Sequence, residues 1–339
     1  MKRWQFWLGI CISIFFLYFA LRGLQLDLIW ETLKNANYLW LIPGIAIYFL
    51  AVGVRTWRWH YLLRPLQKIP TRTLFPIVAT GYMGNNIFPA RAGELLRAVV
   101  LKMKEKVAIS SSLATIIVER IFDGVVMLAF VFLNLPKLAD LTSDSGFIGS
   151  IQSLAIWGAA AFIGALLIFL LAAMFPHFAA RVIDQMILHL LPKRWKESAE
   201  SVTNRFLSGL EALRSPRDAL MVFLTSIIIW LLETGIYWLV MQAFPFRVSF
   251  FTLMLMNGIV NLTTTLPSAP GYIGTFDAPG IALLTTSGVA GEVAAGYVLL
   301  LHGALWLPIT LVGGFYFLRQ GVDLTQALDS AKKERLDKS

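Results

Sequence analysis

Gly84-Asn85-Asn86-Ile87-Phe88-Pro89-Ala90-Arg91-Ala92-Gly93-Glu94-Leu95-Leu96-Arg97 interrupts an apolar segment that runs from about 74 to 104. Pro89 lacks the backbone donor that a continuous helix needs, and Gly93, four residues on, relaxes a turn. Asn85 and Asn86 precede the break, and Arg91, Glu94 and Arg97 follow it at i, i+3 spacing, on one side of a returning half-helix. The reading is two half-helices joined at a break. A second segment, about 250 to 290, repeats the pattern. Thr263-Thr264-Thr265-Leu266-Pro267-Ser268-Ala269-Pro270-Gly271 can be laid on Asn85 to Gly93, with Pro267 on Pro89 and Gly271 on Gly93. Pro270 adds a further breaker.

The rest of the chain says what medium surrounds these breaks. Of 339 residues, 57% are apolar and 14% charged, against about 45–50% and about 25% in soluble domains. That excludes a water-soluble globule. Cys11 is the single cysteine, so one chain forms neither a disulfide nor a thiolate metal cluster. Six stretches, near 4–21, 39–57, 112–134, 151–175, 219–243 and 293–318, have the roughly 20 residues needed to cross a hydrocarbon core. The first follows Lys2 and Arg3 without a small-x-small cleavage site and reads as a retained signal anchor.

A net charge of +9 would raise nucleic-acid binding in a soluble protein. Here its distribution reports topology, and no nucleic-acid partner is expected. Segments 1–3, 55–72, 97–106, 177–217 and 319–339 hold 23 of the 29 Lys and Arg; segments 22–38, 135–150 and 244–249 hold only Arg22, Lys34, Lys137 and Arg247. Basic loops stay cytoplasmic, which places both termini on the inner side of the cytoplasmic membrane. Segment 74–104 then enters from the cytoplasm and returns, and 250–290 dips from outside. The expected fold is an all-α polytopic membrane protein, one membrane domain over 1–339. It has six full transmembrane helices plus two re-entrant helical hairpins in an inverted-topology repeat, 1–134 and 151–318. Within the second repeat, 177–217 reads as a cytoplasmic amphipathic segment, with Trp195, Ala199, Val202, Phe206, Leu210 and Leu213 at helical spacing. Ser215 and Pro216 suit the cap and first turn of the next span, and 319–339 is a cytoplasmic tail.

Charge inside hydrocarbon costs about 2.5–3.5 kcal/mol per residue on insertion scales, so each such residue needs a partner or a wet cavity. Arg91, Glu94 and Arg97 are one group; Glu119, Arg120 and Asp123 in the third span are another, with Ser112 and Thr115 extending the stripe. Asp277 follows the second break, and Glu233 and His302 stand alone in apolar spans. Two readings of the clusters stay open: ion pairs that fasten a hairpin to its neighbour, or a polar substrate site at membrane depth where broken-helix N-termini and Arg91 face an anionic group. Arg55 and Arg58, in Arg55-Thr56-Trp57-Arg58-Trp59-His60, read as an interfacial belt with snorkelling arginines.

The sequence has no G-x-x-x-x-G-K-[ST] for ATP, no H-E-x-x-H for zinc and no D-x-D for a metal-bound sugar nucleotide. No cofactor is expected. The abundance of Trp and Phe suits lipid-facing spans and aromatic belts.

The run from Gly84 to Arg97, with Ser110 to Leu113 and Val118-Glu119-Arg120-Ile121-Phe122-Asp123, resembles the flippase-like integral membrane family that includes the membrane part of the lysylphosphatidylglycerol synthases. Its second signature, a proline-glycine turn before G-x-F, is matched by Leu266 to Asp277. That motif often ends in Glu, and Asp277 stands there with a shorter reach. In that family, relatives that carry a soluble aminoacyl-transfer domain are associated with making and translocating aminoacylated lipids; for this chain the reading is movement of an anionic phospholipid or a polyprenyl-linked lipid, made by a separate lipid-modifying enzyme. The expectation is a flippase-like transporter, not an enzyme. Its substrate-binding residues would be Asn85, Asn86, Arg91, Glu94, Arg97, Glu119, Arg120, Asp123 and Asp277. The competing readings are a lipid-linked glycosyl or acyl transferase, and a scaffold for a lipid-modifying synthase.

Overall fold

The computed structural model describes residues 15, 18, 22–88, 91–134, 145–190, 193–265 and 269–319. Among them are twelve α-helices and no strand: α1 (Leu26–Lys34), α2 (Leu41–Leu63), α3 (Thr71–Ile87), α4 (Ala92–Glu105), α5 (Ile109–Leu133), α6 (Ser145–Met174), α7 (Pro176–Leu190), α8 (Lys193–Ser208), α9 (Pro216–Met241), α10 (Phe250–Thr263), α11 (Asp277–Thr286) and α12 (Gly291–Arg319).

Three of these are long and apolar enough to cross a membrane: α2 with its leading turn from Tyr38, α9, and α12. A fourth span arises if Ile163–Met174 and Pro176–Ile183 are taken together, although they meet at 109°. The bend falls at Phe175, where the following proline disfavours helical backbone. The span expected over 151–175 coincides with α6 as far as Met174, so the bend marks its end. At 25 residues α5 is also long enough, roughly 37 Å at 1.5 Å per residue. Glu119, Arg120 and Asp123 at its centre keep it out of the apolar class. The expected first span, Cys11 and the tail after Arg319 lie outside the described residues, apart from Phe15 and Tyr18. So do Pro89 and Pro267, two of the expected breakpoints beside Gly93, Pro270 and Gly271.

Both interrupted segments are pairs of helices. The first breaks between Ile87 and Ala92, the second between Thr263 and Asp277. Packing is paired in a regular way. The long helices α2 and α9 lie against each other at the centre; α3 packs on α12, and α10 on α5; α4 packs on α5, and α11 on α12. Lipid-type exposure is seen on the outer faces, where Ile42, Leu171, Leu311 and Leu318 are bare.

The segment 177–217 is held by protein as well as being amphipathic. Ser111 Oγ donates to the Arg205 carbonyl at 2.6 Å, and Arg214 Nε to the Ala173 carbonyl at 2.7 Å. Leu207, Leu210 and Leu213 are buried while Val202 is exposed, so the apolar stripe read from Val202 is rotated toward Leu207. Ser215 caps α9, its Oγ accepting from Asp218 N at 3.2 Å with Pro216 at the first position.

Gly93 does a different job from the one expected. It lies in the first turn of α4 with ordinary helical backbone, and a Cβ there would fall 2.0 Å from the Gly81 carbonyl oxygen and 2.3 Å from Asn85 N. It permits the closest approach of α3 and α4. The residue that turns the chain is Arg91, at φ +53°, ψ +35°. In the second break Gly271 does relax the turn, at φ +73°, just after Pro270 opens a 3₁₀ turn.

Candidate functional site

The two breaks meet across an open cavity of about 120 Å³. Arg91, the residue before α4, reaches over to the second break: Nη2 donates to the Thr264 carbonyl at 3.2 Å, and the guanidinium lies 5.8 Å from the Tyr272 ring. Asn86 Nδ2 donates to Thr310 Oγ1 at 2.8 Å and to the Trp306 carbonyl at 3.2 Å, tying α3 to α12. Asn85, Asn86, Arg91, Glu94, Arg120 and Gly271 all line the cavity.

A chain of ion pairs runs from this lining into the core. Glu94 Oε1 lies 3.9 Å from Arg91 Nη1 and 3.0 Å from Arg120 Nε; Arg120 Nη1 lies 3.4 Å from Asp123 Oδ2. Arg58 then grips Asp123 with two prongs, at 2.5 and 3.1 Å, and Ser226 Oγ accepts from it at 2.7 Å. Its Nε is 3.5 Å from Glu119 Oε1, whose other oxygen accepts from Arg97 Nη1 at 2.8 Å. Trp230 Nε1 donates to Asp123 as well, and the Arg97 guanidinium rests 3.6 Å from the Trp59 ring. Side-chain exposure is 1% at Arg58, Glu119 and Asp123 but 23–29% at Arg91, Glu94 and Arg120. The inner end is a fastening between α2, α4, α5 and α9. The outer end is wetted by the cavity.

Two further groups complete the lining. Arg55 Nη2 donates to Glu233 Oε2 at 2.8 Å, joining α2 to α9, with Tyr82 and Trp230 rings 5.6 and 5.4 Å from the guanidinium. His302 lies between Asp277 Oδ1, 2.8 Å from Nδ1, and the Gly271 carbonyl, 2.7 Å from Nε2. Both partners are acceptors, so both contacts are met when each ring nitrogen carries hydrogen.

The structure therefore divides the expected site residues. Arg97, Glu119 and Asp123 sit behind the wall, and Asp277 reaches the cavity only through His302 while its Oδ2 accepts from Gly274 N at 2.8 Å. The interfacial reading of Arg55 and Arg58 is wrong. They are 5% and 1% exposed and engaged inside the bundle. With Arg97, they leave the loop count, so 20 basic residues rather than 23 set the charge bias, still against four. Sequence reasoning also missed Tyr48, Tyr82, Trp230, Asn261, Thr264, Tyr272, Phe276 and Trp306 as lining. One signal was present. A lone Glu233 in an apolar span demands a cation, and Arg55 lies at the end of another apolar run.

Among known proteins, the chain is 25% identical over 282 residues to a UPF0104 membrane protein of Methanothermobacter thermautotrophicus, covering 78% of this chain and 80% of that one. A second UPF0104 membrane protein of the same organism is 25% identical over 294 residues, covering 82% and 83%. The glycosyltransferase AglD of Haloferax volcanii is 25% identical over 332 residues, which is 90% of this chain and 53% of that protein. This last likeness overturns the expectation that the chain is not an enzyme as a settled point, since a relative that aligns along nearly the whole chain carries an enzyme's name. Apolar spans and membrane-protein relatives agree on a multi-pass membrane protein. Matched from residue 6 to residue 313, the chain belongs to the family described as the lysylphosphatidylglycerol synthase TM region.

Proposed function

We propose that the cavity binds the phosphate-bearing head group of an anionic phospholipid or polyprenyl-linked lipid, and that the two helix breaks pass it between leaflets of the cytoplasmic membrane while the acyl chains stay in the bilayer. The observation that carries this reading is the juxtaposition of both breaks on one cavity, lined by three arginines against two glutamates. A net positive, partly wetted site inside an apolar bundle suits an oxyanion. Arg91 precedes the first turn of α4, the positive end of that helix's dipole.

The matched packing of α3 on α12 with α10 on α5, and of α4 on α5 with α11 on α12, supports two internal repeats, and the charge bias on the loops favours their entering from opposite faces. The charge bias supports cytoplasmic termini. Single cysteines placed on a Cys11→Ser background are expected to label from the cytoplasmic side at 68 and 106, and from outside at 247 and 291. Opposite sides for 68 and 106 would remove the first hairpin.

Lipid movement is tested in proteoliposomes. Arg91→Ala is expected to cut head-group binding about ten- to a hundredfold, the equivalent of one charge-assisted bond of roughly 1.5–3 kcal/mol, and to stop translocation. Arg91→Lys keeps the attraction without the planar grip and is expected to be intermediate. Exposed Arg72→Ala is the control. Normal translocation by folded Arg91→Ala would make Arg91 structural. The glycosyltransferase relative favours a second reading, group transfer at the same cavity with Glu94 or Glu233 as base. A donor-dependent lipid product made by the purified protein would establish it.

A further inference from the structure

Buried polar atoms that lack a hydrogen-bond partner gather on residues of the cavity lining, and the largest deficit is at Arg55. Its Nη2 is engaged by Glu233, but Nε and Nη1 are buried and meet no acceptor among the described residues. The Tyr82 and Trp230 rings flank the guanidinium. Aromatic faces attract the cation without satisfying its in-plane N–H groups. A guanidinium that is 5% exposed, held by one carboxylate and with its remaining donors unsatisfied at the cavity wall, is poised for an anionic oxygen entering the cavity.

We propose that Arg55 is an oxyanion-binding residue of the cavity, which takes a phosphoryl oxygen on a free N–H at Nη1 or Nε while Glu233 holds Nη2. The proposal rests on the reading of the cavity as a lipid head-group site and adds to it a second cationic contact besides Arg91. Arg55 reaches the cavity from α2, a continuous helix, whereas Arg91 stands at the first helix break. A phosphate met by both is gripped between a fixed wall and a hairpin tip. The ligand chemistry is a phosphate oxyanion, from a glycerophospholipid or a polyprenyl phosphate.

The test is native mass spectrometry of the full chain, purified in detergent with added dioleoylphosphatidylglycerol, undecaprenyl phosphate or, as the phosphate-free reference, dioleoylglycerol. Four proteins are compared: wild type, Arg91→Gln, Arg55→Lys, and a double variant with Arg55→Gln and Glu233→Gln. The double variant removes both charges together, so no lone charge stays buried. Wild type is expected to retain a phosphate lipid at least about tenfold over the reference, and the double variant to lose about tenfold of that retention at an unchanged melting temperature. Arg55→Lys is expected to fall between them. The phosphate lipid whose retention falls identifies the source.

A folded double variant that retains lipid like wild type, while Arg91→Gln loses it, overturns the role of Arg55 and leaves the cavity reading standing. No phosphate preference in wild type overturns both. If the double variant does not fold, Arg55→Lys decides, because it keeps the charge opposite Glu233, and wild-type retention by it overturns the proposal.

Discussion

Arg58→Ala is expected to lower the unfolding free energy by about 3–5 kcal/mol, the usual cost of removing one partner from a buried ion pair. Arg58 is 1% exposed, and its guanidinium serves both prongs of Asp123 and the near oxygen of Glu119. Those carboxylates stand one turn apart on α5. Without Arg58 they face each other with only Arg97 and Arg120 to offset them, in a bundle that admits little water. Arg58→Lys is expected to recover part of the loss, since a point charge restores the attraction but not the fork. A double variant with Arg58→Met and Asp123→Leu is expected to recover more, because it removes the charge instead of orphaning it. Thermal or denaturant unfolding in detergent measures all three. A loss below about 1 kcal/mol for Arg58→Ala would be the behaviour of a surface arginine and would return it to the interface.

Gly93→Val is expected to cost at least about 1–3 kcal/mol and to abolish head-group binding. The neighbours a Cβ would strike, the Gly81 carbonyl oxygen at 2.0 Å and Asn85 N at 2.3 Å, are backbone and cannot change rotamer. The helices α3 and α4 must part. Asn85 on one and Arg91 beside the other both line the cavity, so the wall deforms as the hairpin opens. Gly53 is the contrast. It lies inside α2, where a Cβ would meet nothing within 4 Å, and Gly53→Ala is expected to gain about 0.5–1 kcal/mol from helix propensity. Equal melting temperatures for the two variants would contradict the close packing of the first hairpin.

Much of the fold is local and was legible for that reason. Hydropathy over a window of helical length marks α2, α9 and α12 directly, because a helix satisfies its own backbone and needs only apolar side chains to sit in lipid. Two interruptions of the same type mark the paired helices, since proline and glycine act within a turn of where they stand. The cap of α9 at Ser215 and Pro216 is of the same kind. The polar stripe Ser112, Thr115, Glu119 and Asp123 was legible as a stripe, and all four are buried.

What faced the stripe was not legible. Arg58 meets Asp123 across 65 residues of chain, and Arg55 meets Glu233 across 178. No periodicity encodes such a pairing. An arginine at the end of an apolar run is compatible with snorkelling to the interface or with an ion pair in the core, because lipid and protein interior are alike in excluding water. Only a carboxylate within bonding reach separates the two cases. The same limit applies to the cavity. The sequence by itself determined an apolar, all-helical chain with two broken segments and a set of charges too costly to leave unpaired. Tertiary structure alone decided which charges close on one another as a fastening and which stay open to the cavity, because that depends on how α2, α5 and α9 meet and not on any residue's neighbours in sequence.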